Sequence, residues 1–284
     1  MPSPKHTGNG RGTPWALIGG GNMGRAIAMG ALAVGDHERF LVAEKDQDAR
    51  ERLDAPACES ASEALQWLTR HEDPREPGPI VLAVKPQSLP DVAREIRPFF
   101  EDRSRTVISV LAGTPGDKVR AALGPGARIV RAMPNLPASI RLACTAVCLS
   151  AGAHAGDDEF ALDLFRAVGP TVLRIPEPLM DAFTAVAGSG PAYLFYLAEA
   201  MTRAAASLGF DPATADTIVR ATLAGSAAML KADPRPPADM RAAVTSKGGT
   251  TAAATKVLDD AHTPDTFLKA LTAARDRGRE LAKL

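Results

Sequence analysis

Residues 15–24 read Trp-Ala-Leu-Ile-Gly-Gly-Gly-Asn-Met-Gly, and a helical stretch follows to about Ala33. The glycines form a GxGxxG pattern at Gly19, Gly21 and Gly24. Between a strand and a helix, the first glycine makes the tight turn, the second lets the backbone approach a pyrophosphate, and the third lets helix and strand pack closely. The N-terminus of the helix then points its free N–H groups at the phosphates. The stretch therefore predicts a dinucleotide-binding unit rather than a plain glycine turn.

Short apolar runs alternate with helical stretches over the first 175 residues or so. Most of these runs are apolar on both faces, which is typical of parallel strands covered by helices on both sides. The pattern predicts an α/β, Rossmann-type doubly wound domain. The strand candidates are Ala16–Ile18, Phe40–Ala43, Ile80–Val84, Val107–Leu111, Ile129–Arg131, Cys144–Leu149 and Val172–Ile175.

From Asp181 onward the strand signal stops, and alanine, the best helix former, becomes frequent. Asp211-Pro212 and Thr263-Pro264 each place a capping side chain before a proline at the first helical position. Gly190-Pro191 opens another helix in a weaker version of this pattern. We therefore expect an all-α second half. The predicted division is a disordered tail (1–13), a dinucleotide-binding domain (14–177) and a helical substrate and dimerisation domain (178–284), joined at the proline-rich segment 175–178.

The run Tyr193–Leu208 is apolar around nearly its whole circumference. Such a helix has to be buried on all sides. The helical half is too short to bury it alone, so we expect this half to pack against a second subunit. The alternative is a monomer in which the first domain covers the helix.

Composition excludes several classes of protein. The 33 basic and 33 acidic residues balance, so the chain lacks the basic footprint of a nucleic-acid binder. No apolar run approaches the roughly 20 residues of a membrane span, and Met1–Thr13 has no apolar core of a signal peptide. The three cysteines, Cys58, Cys144 and Cys148, are too few for a disulfide framework and are expected to be buried thiols, so no metal site is predicted. These features together favour a cytoplasmic protein.

The ends of the other predicted strands extend the cofactor site. Glu44 follows the second strand, twenty residues after Gly24, where a carboxylate would bind the ribose 2′-hydroxyl of NAD and repel the 2′-phosphate of NADP. Lys45 could offset that repulsion by turning inward, whereas a solvated Glu44 would affect neither cofactor. The expected cofactor-binding residues are Ile18, Gly19, Gly21, Asn22, Met23, Gly24, Glu44, Lys45, Ala83, Val84, Lys85, Pro86, Leu111 and Ala112.

Two segments of the second half stand out, Ala187–Tyr193 and Val244–Thr251. Both are turns rich in Gly, Ser and Thr that open onto helices, and such turns present several backbone N–H groups to an anion. The chain resembles pyrroline-5-carboxylate reductase over nearly its whole length after the tail. The matching segments occur in the same order as in that family and are Ile18–Gly24, Ala83–Gln87, Met133–Asn135, Asp181–Tyr193 and Val244–Thr251. The family often has Ser at Ala187 and Pro at Lys247.

The resemblance implies reduction of 1-pyrroline-5-carboxylate to L-proline, the last step of proline biosynthesis, with NADPH or NADH. Reduction of a protonated imine needs orientation rather than a strong base. The implied catalytic residues are Thr251, whose hydroxyl would bond the ring nitrogen, and Ser246, which would orient the loop. The implied substrate-binding residues are Ser189, Gly248, Gly249, Thr250 and Thr251. The resemblance also implies a homodimer that assembles into a larger ring such as a decamer.

Two other readings stay open from the residues alone. A β-hydroxyacid dehydrogenase-like enzyme would need a Lys about one helical turn after the Gly-Ser-Gly turn, and Ala192–Ala198 has none. A non-catalytic dinucleotide redox sensor would keep Gly19–Gly24, but it would have no reason to keep the turns of the second half.

Overall fold

The computed structural model describes residues 12–35 and 39–283, so residues 1–11 of the predicted tail lie outside the described residues. The strands are Trp15–Ile18 (β1), Phe40–Ala43 (β2), Ala57–Cys58 (β3), Ile80–Leu82 (β4), Arg105–Ser109 (β5), Ala127–Met133 (β6), Cys144–Leu149 (β7) and Thr171–Arg174 (β8). The helices are Asn22–Ala33 (α1), Gln47–Glu51 (α2), Ala61–His71 (α3), Leu89–Ile96 (α4), Gly116–Leu123 (α5), Glu159–Val168 (α6), Met180–Phe183 (α7), Gly190–Ser207 (α8), Pro212–Ala232 (α9), Pro237–Ala243 (α10), Thr250–Asp260 (α11) and Thr263–Leu281 (α12).

The strands form one sheet in the order β3-β2-β1-β4-β5-β6-β7-β8. The order reverses between β1 and β4, which is the topological switch point of a doubly wound fold. The expectation of a wholly parallel sheet is wrong at one place, because β7 runs antiparallel to β6. The connection 134–143 contains only a short 3-10 turn, Leu136–Ile140, and a parallel crossover needs a dozen or more residues.

Successive residues of the central strands point to opposite faces of the sheet, and each face has its own core. Trp15 and Leu17 belong to the core on the α1 and α6 side, whereas Ala16 and Ile18 belong to the core on the side of α3, α4 and α5. Small and branched apolar residues fill both layers, as expected of a chain with few aromatic residues. This two-sided burial fixes the positions at which the strands end, and the loops after those ends build the site.

The helical half begins as the sequence predicts at two places. α8 begins at Gly190, and Asp211 caps α9 by accepting hydrogen bonds of 3.1 Å from the backbone N–H groups of Ala213 and Thr214. Thr263 differs from the expectation, since it is the first residue of α12 and its hydroxyl donates to the carbonyl of Leu258. None of the described helices combines the length and the apolarity needed to cross a membrane.

Contacts divide the described chain into two units, residues 12–188 with 275–283 and residues 189–274. The first unit therefore includes residues 178–188, beyond the expected boundary at residue 177, and it also includes the end of α12. Large apolar side chains of α8 are exposed in the single chain, among them Phe195 at 57% and Tyr196 at 72%.

The three cysteines are free thiols, Cys148 buried and Cys58 and Cys144 half-buried. Burial raises the pKa of the Cys58 and Cys148 thiols to about 11 and also raises the pKa of Cys144. All three are therefore poor nucleophiles at neutral pH.

Candidate active site

The glycine turn joins β1 to α1 in a conformation that only glycine adopts without strain. Gly19 has φ +106°, and a Cβ on it would lie 2.6 Å from the carbonyl oxygen of Ala83. A Cβ on Gly24 would collide with the carbonyl oxygen of Gly19, so α1 starts close to the strand because Gly24 has no side chain. A Cβ on Gly21 would meet no described protein atom within 4 Å. Packing within the protein therefore explains Gly19 and Gly24 but not Gly21.

The N-terminus of α1 has the properties of an anion site. Gly21 is the N-cap without a side-chain cap, and the first intrahelical bond runs from Arg25 N–H to the Gly21 carbonyl, 2.8 Å. The N–H groups of Asn22, Met23 and Gly24 therefore have no acceptor within the helix. The first turn carries no acidic residue that would oppose an incoming phosphate. The described residues thus fit the pyrophosphate of a dinucleotide.

Glu44 faces the glycine turn and is not a solvated loop residue. One carboxylate oxygen accepts a 2.7 Å hydrogen bond from Gly20 N–H, and the other accepts a 3.0 Å bond from Asp46 N–H. A Cβ on Gly20 would lie 3.0 Å from Glu44 Cβ and 2.8 Å from Leu53 Cδ1. Gly20 is thus a residue of the site that sequence reasoning missed. Its only sequence signal was a fourth glycine within residues 19–24.

Charged side chains of both signs lie around Glu44. Asp46 caps α2 by accepting a 2.7 Å bond from Ala49 N–H, and Asp48 lies in the first turn of that helix. Arg50 is turned to the backbone and donates to the Glu44 carbonyl at 2.6 Å. Lys45 is exposed. The Glu44 carboxylate can accept a hydrogen bond from a ribose hydroxyl, whereas a 2′-phosphate beside it would need a cation such as Lys45 to offset the repulsion.

The carboxyl ends of β1, β4 and β5 lie side by side at the switch point. Ala83 N–H donates to the Ile18 carbonyl at 2.8 Å, and Val110 N–H donates to the Leu82 carbonyl at 3.0 Å. Beyond these ends, Leu111 is buried and Ala112 is exposed. Val84 is half-buried, and Lys85 and Pro86 are exposed before a 3-10 turn, Pro86–Ser88. The structure therefore brings the expected cofactor residues of three strands to one edge of the sheet.

A polar clamp holds the segment that leads into the Gly-Ser-Gly turn. Asn135 is buried, its amide donates to the Ala187 carbonyl at 3.1 Å, and its side-chain oxygen accepts from Cys144 N–H at 3.0 Å. The clamped segment Thr184–Gly188 is a π-helix, an irregularity that is frequent at functional sites. Asn135 is another residue missing from the sequence-based site, although its Met-Pro-Asn segment contributed to the resemblance. Ser189 follows directly and precedes α8.

In the second unit, a turn at Ser246–Gly249 precedes α11. Gly249 N–H donates to the Ser246 carbonyl at 3.0 Å, and Gly248 has φ +71°, as the third residue of a type II turn requires. The Ser246 hydroxyl lies 2.3 Å from where a Gly249 Cβ would be. A side chain on Gly249 would therefore displace the Ser246 hydroxyl.

The N-terminus of α11 offers a second set of free N–H groups. Gly249 is its N-cap without a side-chain cap, and Ala253 N–H makes the first intrahelical bond, to the Gly249 carbonyl. The N–H groups of Thr250, Thr251 and Ala252 thus have no acceptor within the helix. The Gly249 N–H, expected to hold a carboxylate, is engaged by Ser246 in this conformation. Thr251 is half-buried, whereas Ser246 and Thr250 are exposed.

The fold and the glycine turn define the class of protein, a Rossmann-type dinucleotide-binding protein with a helical second domain. Residues 15–113 match the family model described as NADP oxidoreductase, coenzyme F420-dependent. Residues 177–281 match the model described as pyrroline-5-carboxylate reductase dimerisation.

Full-length relatives narrow the class to one family. The pyrroline-5-carboxylate reductase of Methanosarcina acetivorans is 33% identical over 94% of this chain and 97% of its own length. That of Pseudomonas aeruginosa is 35% identical over 94% of this chain and 96% of its own. The structure of the Coxiella burnetii enzyme matches with a TM-score of 0.85 and 34% identity over 96% of this chain and all of that one. This chain belongs to the pyrroline-5-carboxylate reductase family.

A Plasmodium falciparum pyrroline carboxylate reductase, solved with NADP bound, also matches, with a TM-score of 0.81 and 25% identity over 95% of this chain and 98% of that one.

Proposed function

We propose that this chain reduces 1-pyrroline-5-carboxylate to L-proline with NADPH or NADH. The observation that carries the proposal is full-length membership of the reductase family, with both family turns kept at Gly19–Gly24 and Val244–Thr251. The absence of Lys from Ala192–Ala198 argues against a β-hydroxyacid dehydrogenase, and the second turn argues against a non-catalytic sensor.

The dinucleotide would lie across the carboxyl edge of the sheet. The free N–H groups of Asn22, Met23 and Gly24 would bind its pyrophosphate, and Glu44 would accept from the adenosine ribose. When bound, the reduced nicotinamide supplies the hydride that the imine carbon accepts. Ala83–Pro86 and Leu111–Ala112 would border the other half of the dinucleotide and position it against the substrate.

The turn before α11 would hold the substrate. The free N–H groups of Thr250 and Thr251 would bind its carboxylate, and the Gly248–Gly249 backbone would let it approach closely. The Thr251 hydroxyl would hydrogen-bond the ring nitrogen, which enters as a protonated imine and leaves as an amine. Ser246 would hold the turn in shape through its contact with Gly249. Ser189 would form the floor near the nicotinamide.

The exposed Phe195 and Tyr196 of α8, within the segment that matches a dimerisation model, support a homodimer. We extend this to a larger ring of dimers such as a decamer, and to a cytoplasmic location.

A turnover assay tests the proposal. Purified protein is mixed with 1-pyrroline-5-carboxylate and either NADH or NADPH, and the loss of reduced cofactor is followed together with the appearance of L-proline. We expect equal amounts of cofactor to be consumed and proline to be formed. Oxidation of neither cofactor would overturn the proposal. Reduction of NAD⁺ by a β-hydroxy acid would favour the dehydrogenase alternative instead.

A further inference from the structure

The last turns of α12 pack against the loop that follows β5. A Cβ on Gly113 would lie 3.1 Å from Leu281 Cβ, 3.6 Å from Leu281 Cδ1 and 3.7 Å from the Gly278 carbonyl oxygen. Gly113 also has φ +65°, in the left-handed region that disfavours a side chain. The loop therefore takes its path because Gly113 both turns there and leaves room for Leu281.

A second contact fixes the same end of the helix. A Cβ on Gly278 would lie 3.3 to 3.5 Å from the carboxyl group and Cβ of Asp181, in α7. The shortest of these distances, to Asp181 Oδ1, is tighter than most Cβ contacts, so a side chain at residue 278 would press on Asp181. Contacts at Gly278 and Leu281, one helical turn apart, define where the helix end lies in the first unit.

The loop held by Leu281 borders one particular half of the cofactor. The pyrophosphate site is at the start of α1, and Glu44 places the adenosine ribose beside β2. Because β4 and β5 lie on the other side of β1, the nicotinamide half has to extend towards them. Ala112, exposed and adjacent to Gly113, belongs to the loop after β5.

We propose that Leu281 is a positioning residue for the nicotinamide half of the dinucleotide. It acts through Gly113, by supporting the Leu111–Gly113 loop from the side of α12, and does not touch the cofactor itself. The inference rests on the proposed cofactor use. It predicts that shortening Leu281 weakens binding of the nicotinamide half while the adenosine half binds as before.

Equilibrium binding to the full chain separates the two halves. NADH and ADP-ribose, which is the same molecule without the nicotinamide, are titrated into wild type, Leu281→Ala and Leu281→Gly. The pair NADPH and 2′-phospho-ADP-ribose is titrated in parallel. We expect a graded loss, with the Kd of the complete dinucleotide raised about tenfold in Leu281→Gly and less in Leu281→Ala, since a displaced loop loses contacts with the nicotinamide half and a tenfold change corresponds to about 1.4 kcal/mol. The Kd of ADP-ribose should stay within about twofold of wild type, because its binding groups do not move.

Leu173→Ala is the matched control. Leu173 is 46% exposed and Leu281 is 40% exposed, but Leu173 lies in the edge strand β8, which β6 and β7 separate from β5. The control should bind all four ligands as wild type does. Equal weakening of the complete and truncated ligands in the Leu281 variants, or no weakening of either, would overturn the inference. Failure of wild type to bind NADH and NADPH would instead contradict the proposed function, so the two failures are distinguishable.

Discussion

The carboxylate of Glu44 accepts a 2.7 Å hydrogen bond from the backbone N–H of Gly20. The parallel register of β1 and β2 pairs Ile18 with Ala43, which places the residue after β2 beside the glycine turn. The contact therefore follows from strand pairing and not from a flexible side chain that happens to reach the turn. It puts a negative charge where the adenosine ribose of a dinucleotide would lie.

Glu44→Ser should raise the use of NADPH relative to NADH. The substitution removes a carboxylate that would face the 2′-phosphate, and juxtaposed like charges oppose binding. We expect the ratio of kcat/KM for NADPH to that for NADH to rise by about tenfold or more, which corresponds to roughly 1.4 kcal/mol. Glu101→Ser, an exposed change far along the chain, is the control. An unchanged ratio would mean that Glu44 does not contact the ribose.

Thr251→Ala should lower kcat/KM for pyrroline-5-carboxylate while leaving the Kd of the cofactor nearly unchanged. A hydrogen bond to a charged group contributes about 1.5–3 kcal/mol, so the expected loss is about 10- to 150-fold. Thr251→Ser keeps the hydroxyl and should recover most of the rate. Thr217→Ala makes the same change at an exposed position of α9 and should behave as wild type. A wild-type rate in Thr251→Ala would remove this hydroxyl from the mechanism.

Glu72→Ala should destabilise the first unit without changing the chemistry. Glu72 is buried and accepts bonds from Gly78 N–H at 2.8 Å, Arg103 at 2.9 Å and the buried Arg105 at 2.6 Å. Arg105 Nε has no hydrogen-bond partner among the described residues. Removal of Glu72 would therefore leave the buried Arg105 guanidinium without its carboxylate partner and with still fewer hydrogen bonds. We expect the free energy of unfolding in urea to fall by about 3–5 kcal/mol at fixed protein concentration.

The exposed pair Arg94–Asp91 provides the comparison for Glu72. Asp91→Ala should unfold close to wild type, because surface ion pairs contribute little. The activity of folded Glu72→Ala should match wild type, since Arg105 opens β5 at the edge opposite the glycine turn. Equal stability of the two variants would contradict the assigned role of Glu72.

Asp211 should make the helical unit sensitive to acid. Hydrogen bonds from Thr214 and Ala213 lower the pKa of Asp211 below its ordinary value. A lowered folded-state pKa gives a contribution that is present above the unfolded pKa of about 3.9 and lost as pH falls through the folded value. Asp211→Asn keeps a good cap but cannot titrate. The difference in Tm between wild type and Asp211→Asn should therefore change below about pH 4 and stay constant above about pH 5. A Tm difference that stays constant at every pH would show that Asp211 does not contribute to the pH dependence of stability.

The local pattern of apolar residues predicted the strands and helices whose positions depend on burial on both faces of the sheet. Phe40–Ala43 and Cys144–Leu149 are strands with the predicted bounds, and α1 ends at Ala33 as expected. Strand direction was not predictable, because the apolar pattern of β7 is the same whichever way it runs beside β6. The two-residue strand Ala57–Cys58 is too short to give a periodic signal.

The candidate site was predictable where glycine chemistry determines it and not where a contact between distant segments does. Gly19 and Gly24 were recognisable from their spacing between a predicted strand and a predicted helix. The Asn135–Ala187 bond joins residues far apart in the chain, and no local pattern encodes it. The Glu44–Gly20 hydrogen bond was predicted only in part, because the sequence indicated the Glu44 carboxylate but not the Gly20 N–H that donates to it.

The reversal of β7 has a practical consequence for labelling the protein. It carries the chain to the edge of the sheet opposite the glycine turn, where the loop 152–157 bonds to Arg128 and Thr106 and leaves Ala155 exposed. All three native thiols have raised pKa values. A maleimide dye at neutral pH should therefore modify an Ala155→Cys variant at the new thiol, giving a fluorescent reporter remote from the cofactor edge.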